Sequence, residues 1–286
     1  SFGRVVTEVT FNIDRRTQDV RRDSVTATNH IVERTTADPQ LTAIVAKWKA
    51  LSDTFANEPV GEITADIARG KTGSGSENRG IESALGNLVA DAQRWATAGN
   101  GAEIALMNPG GLRADLVYAP SPAGEGEGVV TYGEAFNVQP FGNLLYTIPM
   151  TGAQIVGVLE EQCQPQSASR PYLQLGVSAG VTYDQKVTFG TVPATTPTNP
   201  NATRSVCLGV EISNVRLGGD PIDPAATYSV TTNGFLADGG DNFVTFREVP
   251  ASERIGGGED LAALIAYMGQ AGVLAPPATD RVNELA

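Results

Sequence analysis

Apolar and polar positions alternate at the start of the chain and then change to a helical spacing. Residues 5–13 and the short apolar runs after them have a period of two, which predicts a hairpin or meander. A piece of two or three strands cannot bury both of its faces, so residues 1–35 are expected to join further strands. Asp38, as an N-cap, and Pro39 begin an amphipathic helix that ends near Asn57. Its apolar stripe is Leu41, Ile44, Val45, Trp48, Leu51 and Phe55.

The pattern from residue 60 to residue 275 mixes helices with short strands, and it predicts an α/β fold, an α+β mixed sheet with flanking helices. Thr131 and Glu134 have the spacing of a capping box, and residues 191–203 are predicted to be a loop insertion. Trp95 is expected to face inward from its helix. The predicted strands are residues 60–67, 103–107, 177–183, 211–217 and 228–232, and the predicted helices are residues 83–95, 153–161 and 261–268.

Length and charge narrow the classes of function. The chain has 286 residues, enough for one large domain or two small ones. Its 20 Lys and Arg residues against 32 Asp and Glu residues give a net charge of −12, which argues against binding to nucleic acid or anionic lipid. No apolar run has the length that a transmembrane helix needs. The chain begins at Ser1 without a visible signal peptide, as expected of a processed or a truncated chain.

Histidine and cysteine usage argues against a metal-dependent active site within this chain. His30 is the single histidine, and it is expected to be a partly exposed structural residue rather than a ligand. An all-carboxylate Mg²⁺ or Ca²⁺ site remains open. Cys163 and Cys207 fit no metal-binding spacing. They are either two reduced core thiols or one disulfide, and the polar stretches around both slightly favour the disulfide.

Two loops carry cationic side chains beside exposed backbone. Arg79 precedes a predicted helix, whose N-terminus attracts anions, although a solvated arginine would look the same. Residues 108–113, Asn-Pro-Gly-Gly-Leu-Arg, follow a predicted strand. The glycines allow a ligand to approach closely, and the guanidinium of Arg113 suits phosphate or carboxylate, although Pro-Gly-Gly is also an ordinary turn.

Two further loops hold aromatic rings. Phe141 and Phe235 stand in turns rather than on apolar faces, so the pair could clamp a flat heteroaromatic ring, or each could pack beneath its loop. Asp241 could accept hydrogen bonds from a ribose diol or stabilise its Gly-Gly-Asp turn.

Taken together and in order, the four loops resemble the C-terminal domain of the 5'-nucleotidase family, over about residues 60–267. That family includes ecto-5'-nucleotidases, bacterial UDP-sugar hydrolases and 2',3'-cyclic-nucleotide phosphodiesterases. The matching motifs are Arg79-x-x-Glu82-x-x-Leu85-Gly86-Asn87-Leu88, Asn108-x-Gly110-Gly111-Leu112-Arg113 (with Leu for the family's Ile), Pro140-Phe141-Gly142-Asn143 and Asn233-x-Phe235-Leu236-Ala237-x-Gly239-Gly240-Asp241.

The resemblance implies a role for each matching residue. Phe141 and Phe235 would sandwich the base, and Asp241 would bind the ribose hydroxyls. The phosphate end would be held by Arg79, Asn108 and Arg113. No catalytic and no metal-binding residue is implied in this chain.

The resemblance also implies what lies outside the chain. The family's chemistry belongs to an N-terminal metallophosphoesterase domain with two divalent metal ions, and no Asp-x-His or Gly-Asn-His motif of that domain occurs here. Residues 1–35 are then remnant strands of that domain, residues 36–58 a connector helix, and residues 59–286 the substrate-binding domain. The implied protein is a secreted 5'-nucleotidase-like phosphohydrolase, extracellular or in the cell envelope, and this chain alone would be inactive.

Two alternatives remain open. A secreted interaction module could keep the fold without turning over nucleotides. A sugar nucleotide or a cyclic nucleotide would use the same site as a nucleoside monophosphate and differ at the phosphate side.

Overall fold

The computed structural model describes residues 3–33, 36–120, 124–194, 199 and 201–285. The chain divides into two units, Ser1–Thr54 and Phe55–Ala286.

The first unit contains the predicted hairpin and helix. Strands β1 (Val5–Thr10) and β2 (Thr26–Ile31) pair antiparallel, and helix α1 (Pro39–Ala56) follows. The Asp38 carboxylate caps α1 by accepting from two backbone N–H groups of the first turn, at 2.8 and 3.1 Å. His30 is half exposed, as the sequence predicts, and lies 2.8 Å from a glutamate on the paired strand. No residue described in this unit is buried.

The second unit is a mixed α/β structure, as the sequence predicts. Its strands, over the described residues, are β3 (Pro59–Ile63), β4 (Ile104–Met107), β5 (Val129–Thr131), β6 (Leu144–Thr151), β7 (Gly176–Val177), β8 (Val181–Pro193), β9 (Thr203–Leu217), β10 (Asp220–Pro221), β11 (Thr227–Asn233), β12 (Ile255–Glu259), β13 (Val273–Leu274) and β14 (Val282–Glu284). Its helices are α2 (Ala84–Ala96), α3 (Tyr132–Val138), α4 (Gly152–Glu160), α5 (Gly234–Ala237) and α6 (Asp260–Ala271).

The described residues of this unit form three sheets. The central one has the order β12-β6-β11-β4-β7, in which β11 and β4 are parallel and the other pairs antiparallel. A second sheet, β10-β9-β8-β14, contains the long hairpin of β8 and β9, and a third has the order β13-β3-β5.

Strand β4 separates two hydrophobic cores, because successive side chains of a strand point to opposite faces. Ile104 and Leu106 belong to the core that also contains the apolar face of α4. Ala105 and Met107 belong to the core formed with α2 and α6. The central sheet is therefore covered on both faces, which fixes the loops at the ends of its strands.

Polar caps determine where the helices begin. The Ser83 side chain accepts from a backbone N–H of the first turn of α2. The capping box predicted at Thr131 and Glu134 starts α3. An equivalent box at Thr151 and Gln154, which the sequence analysis missed, starts α4.

Four sequence predictions need correction. The strand predicted at residues 60–67 ends at Ile63, and Ile67 forms only an isolated bridge with Leu116. Trp95 is 39% exposed rather than inward, because it lies in the last turn of α2 and packs its ring edge-on against Tyr267. The strand predicted at residues 177–183 is interrupted at Gly180, whose φ of +92° turns the chain between β7 and β8. The predicted loop 191–203 is shorter, because β8 extends to Pro193 and β9 starts at Thr203; residues 195–198 and 200 lie outside the described residues.

The two cysteines form a disulfide. Cys163, just after α4, is bonded to Cys207 on β9, and the bond closes a loop across 44 residues. The alternative of two thiols is therefore excluded in this structure.

Candidate functional site

A single crevice of about 420 Å³ collects the predicted site residues, and its volume is in the range typical of small-molecule sites. All six residues singled out from the sequence line it. The lining of this crevice is Arg79, Asn108, Gly110, Gly111, Arg113, Phe141, Asn143, Asn233, Phe235 and Asp241.

The crevice lies where two parallel strands end. Strands β4 and β11 are neighbours in the central sheet, so their carboxyl ends meet at one edge. Asn108 directly follows β4, and Asn233 is the last residue of β11. Ligands of open α/β sheets characteristically bind outside the carboxyl ends of strands, and the loops that carry Asn108 and Asp241 begin at this edge.

A chain of buried amides orients the Asp241 carboxylate. Asn233 Nδ2 donates to Asn108 Oδ1 at 3.0 Å, and Asn108 Nδ2 donates to Asp241 Oδ2 at 2.8 Å. The Asn233 Oδ1 atom also accepts from the backbone N–H of Leu236 and so caps α5. With Asn108 3% and Asn233 1% exposed, these amides are fixed by the fold. Asn233 is a site residue that the sequence analysis quoted only within a motif; its place at the end of a strand was the available signal.

The loop that carries Asp241 has an unusual backbone. Gly239, Asp241 and Asn242 have φ values of +79°, +53° and +63°. Left-handed conformations of non-glycine residues are uncommon and cluster at functional sites. The Asn242 side chain donates to Gln164 Oε1 at 2.8 Å, which holds the loop from outside the crevice.

Arg79 and the amide chain converge on Gly110. A Cβ atom at Gly110 would lie 3.1 Å from Asp241 Oδ2, 3.3 Å from Arg79 Nη1 and 3.4 Å from Asn108 Nδ2. Glycine therefore leaves room for these polar groups to face one small volume. The Arg79 guanidinium is held from behind by Glu77, whose Oε2 lies 3.2 Å from Arg79 Nε.

The two phenyl rings of the crevice have different supports. The guanidinium of Arg113 lies over the Phe141 ring, 5.8 Å from its centroid, in a cation–π arrangement. Phe235 instead packs against Gly240, where a Cβ atom would come within 2.5 Å of a ring carbon. Phe141 is 56% and Phe235 47% exposed, so each ring keeps surface that a ligand could cover.

Asn143 is tied to a buried carboxylate. Its Nδ2 donates to Asp260 Oδ2 at 3.0 Å, and its carbonyl accepts from the Asp260 backbone N–H at 2.9 Å. Burial raises the pKa of Asp260 above its usual range, although these hydrogen bonds oppose the rise. The turn that carries Phe141 is therefore anchored to the start of α6.

The described residues contain no group of three or more His, Cys, Asp or Glu side chains placed to bind a metal ion. In the same part of the chain, no helix is both long and apolar enough to cross a bilayer. The polar side chains that line the crevice are amides, guanidiniums and one carboxylate.

The comparisons with known proteins point to one family. Residues 59–248 match the family described as "5'-nucleotidase, C-terminal domain". A cell wall protein of Listeria monocytogenes is 30% identical over 86% of this chain, which spans 29% of that protein. The NAD 5'-nucleotidase of Haemophilus influenzae is 28% identical over 73% of this chain, which spans 32% of that enzyme.

A solved structure supports the fold. The crystal structure of a 5'-nucleotidase precursor from Thermus thermophilus superposes with a TM-score of 0.62 at 24% identity. That match covers 99% of this chain and 50% of the other. The described chain therefore corresponds to a minor part of its curated relatives and to half of this structural neighbour.

Proposed function

Because the chain belongs to the 5'-nucleotidase C-terminal domain family, a nucleotide-binding module of 5'-nucleotidase-like proteins, we propose that it holds the substrate of a secreted phosphohydrolase that removes phosphate from nucleotides. One observation carries the proposal. The six residues that the sequence singles out come from four separate loops, and all six line one crevice.

The nucleoside end of a nucleotide would fit the side of the crevice that carries the two phenyl rings. The base would stack between Phe141 and Phe235, since each ring has an exposed surface and stacking tolerates any base. Asp241 would accept hydrogen bonds from the ribose hydroxyls. Its Oδ2 atom is already held by Asn108, which orients the carboxylate toward the crevice.

The phosphate end of the nucleotide would fit the side of the crevice that carries the two arginines. Arg79 and Arg113 would pair with phosphate oxygens, because guanidinium groups match phosphate geometry. The Asn108 amide is largely engaged with its neighbours, so its direct contribution to the phosphate would come from the second N–H of Nδ2. The crevice as a whole would orient the ligand rather than cleave it.

The rest of the proposed enzyme lies beyond this chain. Residues 1–35 would complete a metallophosphoesterase domain with two divalent metal ions, residues 36–58 would connect it, and residues 59–286 would hold the substrate. The two metal ions would belong to that domain and not to the crevice. The disulfide supports an extracellular or cell-envelope location, because disulfides persist in oxidising compartments.

Calorimetric titration tests this function. We expect adenosine 5'-monophosphate and adenosine to bind the wild-type chain without metal, and Phe235→Ala to abolish measurable binding. The chain should also release no phosphate from the monophosphate in the presence of Mn²⁺, Zn²⁺ or Mg²⁺. Undiminished affinity of the Phe235 variant would remove the clamp, and rapid turnover would overturn the placement of the active site.

One observation favours a second candidate, an interaction module. The apolar stripe of α1 is exposed along its length, with Trp48 63% and Val45 65% exposed. A chain that binds no nucleoside, nucleotide or sugar nucleotide in the titration would support this candidate instead.

A further inference from the structure

The segment that follows α4, residues 161–164, is held firmly by groups that do not line the crevice. Gln162 is fully buried, and its Oε1 atom accepts from the backbone N–H of Leu175 at 2.8 Å. Cys163 is bonded to Cys207 on β9. We call residues 161–164 the anchor segment, because its two middle residues fix it to the core and to the second sheet.

The two outer residues of the anchor segment hold the loop that carries Asp241. Gln164 is 2% exposed, and its Nε2 donates to the Glu161 carbonyl at 2.9 Å, which leaves Oε1 to accept from Asn242 Nδ2 at 2.8 Å. The Glu161 carboxylate accepts from the backbone N–H of Thr245 at 3.1 Å and from its hydroxyl at 2.9 Å. The loop is therefore tied to the anchor segment at two points that follow Asp241.

Two observations show why the Asp241 loop needs these ties. Asp241 and Asn242 have left-handed φ values of +53° and +63°, a conformation that costs free energy for residues other than glycine and that surrounding contacts must hold. A cavity of about 220 Å³ borders both residues, so the loop has space into which it could relax. The hydrogen bonds of the anchor segment therefore restrain a loop that this cavity leaves incompletely packed.

We propose that Gln164 and Glu161 are positioning residues for ribose recognition, which hold the Asp241 loop in the conformation that presents its carboxylate to the crevice. Neither is among the residues that line the crevice, so both act through Asp241. The proposal rests on the proposed function, in which Asp241 binds the ribose hydroxyls. It adds the residues that determine the preference for ribose over a sugar without these hydroxyls.

Titration calorimetry with adenosine and 2',3'-dideoxyadenosine tests the proposal, because the two ligands share the base and differ only in the ribose hydroxyls. We expect wild type to bind adenosine about tenfold tighter, since the Asp241 carboxylate would accept hydrogen bonds that the dideoxy compound cannot donate. Gln164→Met keeps the length of the side chain and removes the acceptor. It should weaken the binding of adenosine about fivefold and leave the affinity for dideoxyadenosine unchanged.

Two variants of Glu161 separate the hydrogen bond from the charge. Glu161→Gln keeps an oxygen that accepts from Thr245 and should keep the tenfold preference. Glu161→Leu removes the acceptor and should reduce the preference to about twofold. A merely structural role would lower the melting temperature, or the affinity for both ligands alike, without changing the ratio of the two affinities.

Asn242→Ala removes the other partner of the Gln164 hydrogen bond. Asn242 is exposed, so this variant should fold even if one with a changed buried side chain does not. The double variant Gln164→Met/Asn242→Ala should show no lower preference than Asn242→Ala alone, because both substitutions remove the same bond.

Asn214→Ala is the matched control for Asn242→Ala. Asn214 also has a left-handed φ, of +49°, and its side chain donates to Asp184 on the paired strand of the β8–β9 hairpin. It does not line the crevice, so its replacement by alanine should keep the tenfold preference.

The outcomes distinguish this proposal from the function on which it rests. A tenfold preference in both Gln164→Met and Asn242→Ala would overturn the role of Gln164, and one in Glu161→Leu would overturn that of Glu161. Equal affinity of wild type for adenosine and dideoxyadenosine would overturn the ribose role of Asp241 and this proposal with it. No binding of either ligand would overturn the proposed function as a whole.

Discussion

The two phenyl rings of the crevice are the same kind of side chain held in different ways. Phe235 stands at the start of α5, capped by Asn233, and its ring rests on the backbone of Gly240. Phe141 stands in a turn beside Gly142, whose φ is +62°, and its ring lies under the guanidinium of Arg113. One ring therefore has a backbone support, whereas the other shares its surface with a charged side chain. Because of its backbone support, Phe235 is the fixed wall of the proposed clamp.

Reduction of the disulfide should have the largest effect, on the free energy of unfolding. The bond lies one residue from a contact of the Asp241 loop, because Gln164, next to Cys163, accepts a hydrogen bond from Asn242. Opening a loop of 44 residues should lower the free energy of unfolding by about 4 kcal/mol on chain entropy. Urea denaturation with and without dithiothreitol measures this. Equal midpoints in the two conditions would contradict this contribution of the bond to stability.

Phe235→Ala should have the largest effect on ligand affinity. Loss of stacking on the fixed wall should weaken the binding of adenosine by about 2 kcal/mol or more, which is at least thirtyfold. Titration calorimetry measures this loss. An effect smaller than that of Phe141→Ala would reverse the assignment of the fixed wall.

Gly240→Ala should act through Phe235. Its Cβ atom would lie 2.5–2.6 Å from three ring carbons, so the ring must move, and adenosine affinity should fall by about 1–2 kcal/mol. Gly99→Ala is the matched control, since nothing lies within 4 Å of the added atom. If the two variants bind adenosine equally well, the backbone support of Phe235 is unimportant.

Phe141→Ala should weaken the binding of adenosine less than Phe235→Ala does, by about 1 kcal/mol. The reason is that the Arg113 guanidinium can itself stack on the base once the phenyl ring is gone. The double variant Phe141→Ala/Arg113→Gln should therefore lose more adenosine affinity than the two single variants added together. Simple additivity in this cycle would contradict the sharing of one surface.

Asp260→Asn should give the smallest effect, and only on the pH dependence of stability. Because burial raises the pKa of Asp260, the folded state binds this proton more tightly than the unfolded state. Wild type should therefore gain stability relative to the variant as the pH falls through the raised pKa. Urea midpoints measured across acidic pH check this sign, and parallel curves for the two proteins would contradict it.

Much of the fold could be predicted from local signals. Pro39, the capping residues and the helical stripes indicated the helices, and the all-apolar run of β4 indicated a strand buried on both faces. The long hairpin of β8 and β9 was underestimated because proline and threonine dominate residues 191–203. Trp95 was misplaced because a helical spacing does not show which turn of a helix extends past its core.

The candidate site was predictable only as a set of loops. Motif order singled out six residues, and the structure brings them into one crevice. The amide chain from Asn233 through Asn108 to Asp241 joins residues that are 125 and 133 positions apart in the sequence. No spacing rule reports such contacts, because they depend on which strands lie side by side.

The most direct test of the nucleotide clamp is a crystal structure of this chain with adenosine 5'-monophosphate. We expect the adenine ring between Phe141 and Phe235, about 3.5 Å from each plane. Asp241 should lie at the ribose, and Arg79 and Arg113 at the phosphate. A nucleotide bound outside this crevice, or with its base away from both rings, would contradict it.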